Sequence, residues 1–200
     1  MKYFSSTWVL LLLFLVTLFF FSYYSFKVLY LPVKEGGEPE FIFRNFFVFN
    51  FLLKAVLLLV KIFCVTMVLK LGAFLMKMEL DTALLLKCVL IAEFVLFLPS
   101  LFELTYFTFI HPNYTLDEFN GFATFSLRDI VDTSDDGRFT YLLSSINVFQ
   151  ILYIVVLALT LGSLIPTRTV DQYLKLIAYV YLPCCLVWIL VVESYNQSMI

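Results

Sequence analysis

The chain has 200 residues, of which 62% are hydrophobic and 14% charged, against roughly 45–50% and about 25% in an average soluble domain. A mean hydropathy of +0.99 is more apolar surface than a soluble core of this size can bury, which excludes an ordinary soluble domain. A net charge of −2, with 13 basic residues scattered along the chain, excludes a nucleic-acid surface.

The apolar residues gather into blocks long enough to cross a hydrocarbon core of roughly 30 Å. They predict an all-α integral membrane protein, a single domain over residues 1–200, built as a bundle of about five transmembrane helices. The expected spans are about 7–31, 46–76, 84–109, 141–165 and 176–192.

Pro32 closes the first block, whose apolar run is longer than the roughly 7–15 residues of a signal peptide and has no A-x-A cleavage pattern. It reads as a retained helix with a collar of Tyr23, Tyr24 and Lys27. The connection from Val33 to Glu40 contains Gly36, Gly37 and Pro39, which stop helix and strand alike.

The second block is longer than a perpendicular span needs, so it must tilt or protrude. It carries Lys54, Lys61, Lys70 and Lys77. The polar turn Met78-Glu79-Leu80-Asp81-Thr82 is so short that blocks two and three should form an antiparallel helical hairpin. Glu93, Pro99 and Glu103 lie in the third block, and Pro99 should distort its helix.

Between the third and fourth spans, Thr115-Leu116-Asp117-Glu118 has the form of a capping box. Ser126-Leu127-Arg128-Asp129 opens a second short helical pattern, and both are expected to lie at the membrane interface. The fourth block ends at Pro166. A brief connection with Arg168, Asp171 and Lys175 leads to the fifth.

Basic residues tie at six on each side of the membrane, so the positive-inside rule does not orient the chain. Ten acids fall on the side away from the amino terminus and three on the near side, where the short connections are distinctly basic. This favours a cytoplasmic amino terminus, in a multi-pass protein of a bacterial inner membrane.

An ionisable side chain at the centre of a bilayer costs on the order of 2.5–3.5 kcal/mol and needs a partner or water. With the second span centred near Leu59 and the third near Leu96, Lys61 and Glu93 fall on the same side of the centre, roughly 3 Å and 4–5 Å from it. Lys54 and Glu103 fall roughly 7–8 Å and 10–11 Å toward the opposite surface. Lys54 and Lys61 share a helix face, Glu93 and Glu103 are offset by about 80°, and Gln150, early in the fourth span, could join them.

This intramembrane polar seam of Lys54, Lys61, Glu93, Glu103 and Gln150 reads either as an ion or substrate path or as paired charges that fix helix packing. Lys61 and Glu93 are expected in the bundle interior, within hydrogen-bonding reach directly or through water.

No catalytic residue is expected. The zinc pattern H-E-x-x-H, the nucleophile turn G-x-S-x-G and the phosphate-binding glycine patterns are missing. His111, the single histidine, sits beside Pro112 and suits an interfacial anchor. Cys64, Cys88, Cys184 and Cys185 lie in apolar blocks and read as small hydrophobes, so no metal or other cofactor is expected.

Leu71-Gly72-Ala73-Phe74-Leu75, the polar turn, Leu84-Leu85-Leu86-Lys87-Cys88-Val89-Leu90-Ile91-Ala92-Glu93-Phe94 and Leu98-Pro99 resemble small bacterial membrane proteins of the Yip1-like superfamily. The resemblance covers about the middle half of the chain and implies five spans with a cytoplasmic amino terminus. Eukaryotic Yip1 proteins bind small GTPases and one another. This sequence shows neither their long amino-terminal segment nor their Asp-Leu-Tyr-Gly-Pro motif, so the resemblance implies a non-enzymatic role among membrane partners and no trafficking role. The leading expectation is an accessory subunit that binds other membrane proteins within the lipid bilayer. The alternative is a small transporter or channel using the lysine and glutamate seam.

Overall fold

The computed structural model describes residues 2–25, 40–112, 114, 118, 122, 125–127, 143 and 145–198. Among these the regular structure is helical, and the one β contact is an isolated bridge between Ser126 and Asn147. Four helices among the described residues are long and apolar enough to cross a membrane: Thr7–Ser25, Phe47–Leu75, Thr82–Ile110 and Val170–Val192.

Helix α1 is Lys2–Ser25 and α2 is Glu40–Leu75. Helix α3, Thr82–Ile110, changes its winding along its length. It is α-helical over Thr82–Glu93, 3₁₀ over Phe94–Phe97, α-helical again over Leu98–Thr105 and π-helical over Tyr106–Ile110. The change at Phe94–Phe97 has a local cause in Pro99, which has no N–H to donate and whose ring crowds the carbonyl four residues earlier. Leu98 N–H bonds Val95 O instead, the shorter 3₁₀ link.

Helix α4 is Val148–Leu164, started by Asn147, whose side chain accepts from the Gln150 N–H at 2.8 Å. Of the fourth expected span, 141–165, this helix covers residues 148–164. The capped helix has 17 residues, about 25 Å at 1.5 Å per residue, which is short of a full core thickness. A fifth spanning helix is therefore not established by length.

Helix α5 consists of Val170–Leu176, a π turn at Ile177–Tyr181, and Leu182–Ser198. It begins six residues before the expected 176, because Thr169 and Gln172 form a reciprocal capping box. Asp171 and Lys175, read from sequence as connection, thus lie in its first turns and pair at 2.7 Å.

The expected interfacial helices fall largely outside the described residues. So do the 26–31 end of the first expected span and residues 141, 142 and 144 of the fourth. Of the described residues near the interfacial stretch, His111 Nε2 lies 3.5 Å from Glu118.

The turn between α2 and α3 is built for a tight reversal. Lys77 takes a left-handed conformation, φ 54°, while Met78 N–H bonds Ala73 O at 2.8 Å and Lys77 N–H bonds Phe74 O at 3.1 Å. These are the two hydrogen bonds of a Schellman ending. Lys70 on α2 donates to Leu80 O, and Asp81 caps α3 by accepting from Ala83 N–H at 3.4 Å.

Helix α3 is the centre of the bundle, with α1, α2 and α4 packed around it and α5 closing against α4 and α2. Leu85, Cys88, Val89, Leu90, Ala92, Glu93 and Phe107 are its buried positions. Gly72 lets α2 pass close to α5, since a Cβ there would stand 2.5 Å from Val180 Cγ2.

Candidate functional site

Four of the five seam residues line one cleft. Lys54, Lys61, Glu93 and Glu103 border a cavity of about 440 Å³ enclosed by α1, α2 and α3. The antiparallel hairpin brings the amino-terminal half of α2 beside the carboxyl-terminal half of α3, and α1 supplies the third wall through Leu18, Ser22 and Ser25. Phe14, Phe21, Phe47, Phe51 and Phe97 fill the spaces between the polar groups.

Lys61 Nζ donates to Glu93 Oε2 at 3.0 Å. The carboxylate side chain is fully buried, while the lysine keeps 41% of its side chain exposed. The structure thereby corrects one detail: Glu93 is interior, but Lys61 sits at the cleft's edge and reaches inward. Their contact follows from equal depth on antiparallel helices and from the cost of leaving a buried carboxylate alone.

Lys54 and Glu103 stand differently. Lys54 is exposed and Glu103 half-buried, and the lysine's field acts on the carboxylate. Yet the ion pairs among the described residues are Lys61–Glu93, His111–Glu118 and Lys175–Asp171. The cleft therefore holds one closed pair and one open one.

Gln150 does not line this cleft. Its Nε2 donates to the Tyr181 hydroxyl at 3.0 Å, behind the seam. Tyr181 packs against Tyr153 with ring centroids 5.8 Å apart, and the Tyr153 ring lies 5.8 Å from Lys61 Nζ. The Tyr153 hydroxyl lies beside the Glu93 carboxylate, but both that hydroxyl and Glu93 Oε1 are buried without a hydrogen-bond partner.

Sequence reasoning misses Tyr153 and Tyr181. The signal for them is their position in the middle of an apolar segment, when tyrosine in such segments favours the ends. It also misses the serines. Thr17, Thr66, Thr105, Thr160 and Ser194 each donate to the carbonyl four residues earlier on their own helix. Ser22, Ser25 and Ser100 line the cleft.

No group of three or more His, Cys, Asp or Glu side chains among the described residues is placed to hold a metal ion. Comparison with protein-family models, with curated proteins and with solved structures returns no match.

Proposed function

We propose that the chain is a multi-pass membrane protein that binds a small polar solute in the Lys/Glu cleft, as a transporter or channel does, without catalysing a reaction on it. The observation that carries this reading is a cavity of about 440 Å³ that collects four ionisable side chains from the apolar middle of two helices. Charges there are expensive unless they meet a partner, water or a ligand. The membrane setting is supported by the length of the four apolar helices and by hydroxyls that satisfy themselves on their own helix.

Size favours a solute over a partner helix as the occupant. Small-molecule sites run from roughly 300 to 1,000 Å³. A helix about 10 Å across fills on the order of 400 Å³ in a single turn, so the cleft would seat only one turn of a neighbour. The accessory-subunit reading rests instead on outer faces: Val56, Leu57 and Val60 on α2, and Val187, Trp188 and Val191 on α5, are exposed and apolar. A partner's helices would suit those faces as lipid does.

With a cytoplasmic amino terminus, as the basic connections at Lys70, Lys77, Arg168 and Lys175 favour, the cleft runs from Lys61 and Glu93 near the membrane centre toward the outer surface at Lys54 and Glu103. The Yip1-like resemblance adds only that architecture to the proposal.

Thiol reactivity in proteoliposomes tests it. In a chain with its four cysteines replaced by alanine, Ser100→Cys should react with a small water-soluble methanethiosulfonate, because water and solutes enter the cleft. Leu159→Cys, on an exposed apolar face of α4, should stay inert in lipid. Equal inertness of the two would sink the proposal.

A further inference from the structure

Resting on that reading, the geometry points to a zwitterion as the solute, with its anionic group held by Lys54 and its cationic group by Glu103. An open pair of opposite charges imposes this choice. Lys54 and Glu103 line the same cleft without touching each other. A simple anion would satisfy the lysine and leave the carboxylate unmet, and a simple cation would do the reverse. A molecule carrying both charges a few atoms apart satisfies both, and each contact is then a charge-assisted hydrogen bond.

The rest of the wall agrees. Ser22, Ser25 and Ser100 offer hydroxyls on the cleft wall, suited to oxygens of a phosphate or carboxylate. Lys61 is held by Glu93 at 3.0 Å, which leaves Lys54, among the described residues of the wall, to recruit the anion. Phe47 and Phe51 border the polar groups on the α2 side, where the carbon skeleton of the solute would lie.

Two sources offer this chemistry: a soluble zwitterion, and the headgroup of a zwitterionic phospholipid entering sideways from the bilayer. The Ser100→Cys chain separates them. Its rate of modification is read with glycerophosphoethanolamine present, against glycerophosphate as the anion alone and ethanolamine as the cation alone. A second arm compares vesicles of phosphatidylethanolamine with vesicles of phosphatidylglycerol.

Zwitterion protection should slow modification by at least about tenfold, the scale of one charge-assisted hydrogen bond, with much weaker protection by either single charge. Protection by the soluble compound identifies a soluble solute, and protection only in phosphatidylethanolamine vesicles identifies the lipid headgroup. Lys54→Gln or Glu103→Gln should each abolish the preference, and the exchanged pair Lys54→Glu with Glu103→Lys should restore it by accepting the zwitterion reversed.

A reactive Ser100→Cys that neither arm protects selectively, or protection unchanged in both glutamine variants, overturns this inference and leaves the solute-binding reading standing. An unreactive Ser100→Cys overturns both. Neither Lys54 nor Glu103 is in an ion pair among the described residues, and an unchanged unfolding temperature of each glutamine variant shows that it tests binding in a folded chain.

Discussion

At one end, α1, α2 and α3 enclose a cleft of about 440 Å³ bordered by Lys54, Lys61, Glu93 and Glu103. At the other end the same three helices enclose about 180 Å³ lined by Trp8, Leu11, Ile62, Phe63, Leu86 and Leu90. Lys61 and Ile62 are neighbours in sequence, yet one borders the first cavity and the other the second. The space in both cases comes from how three helices meet; the chemistry comes from a few side chains. A purely apolar void of this kind stays dry, whereas a charged one must be filled by something that meets its charges. Only the first has the makings of a site.

The largest effect that would sharpen this contrast is expected at the closed pair. Lys61→Met leaves Glu93 fully buried and alone, and should cost up to about 3–5 kcal/mol, read as a lower unfolding temperature in a fixed detergent. Glu93→Leu should cost less, because Lys61 is already 41% exposed and can swing its ammonium outward. Replacing both together should bring stability most of the way back. A double variant as unstable as Lys61→Met would show that the pair is not what holds this end together.

Filling the apolar cavity should have the opposite sign and a smaller size. Ala83→Leu places side-chain volume against Leu86 and Leu90 in the second cavity and should add about 0.5–2 kcal/mol without changing reactivity at Ser100→Cys. Thermal unfolding of that variant checks it, and a loss of stability would mean the space is not open beside Ala83. The smallest effect belongs to the open pair: Lys54→Met should change stability by no more than about 0.5 kcal/mol, as for a charge with no packed partner. A drop approaching that of Lys61→Met would place Lys54 in a structural pair and erase the distinction between the two ends of the seam.

Depth is legible in this sequence and rotation is not. The polar turn and the positions of Lys61 and Glu93 within their blocks are enough to put both at one level, and they meet at 3.0 Å. Which side of each helix faces inward is harder, because a helix that is apolar all round carries no stripe to mark its buried face. That is why α1 and its serines do not announce themselves as a wall of the cleft, and why Gln150 is grouped with the seam although it bonds Tyr181 behind it. Helix starts are legible only where the cap is recognised: Asn147 and Thr169 decide where α4 and α5 begin, and hydropathy alone places those boundaries several residues away.

Between Leu75 and Thr82 the chain is pinned by the left-handed Lys77, by the bond from Met78 to Ala73 and by Lys70 reaching Leu80 O. A residue inserted there would have to break these bonds, and a hairpin loosened at its turn lets α3 shift against α2 and takes Glu93 off Lys61. Point substitutions among the apolar residues of α2 and α3 have no such reach. Chains descended from this one should therefore vary freely in which apolar residue occupies most positions of the hairpin, while the number of residues from 76 to 81 stays constant.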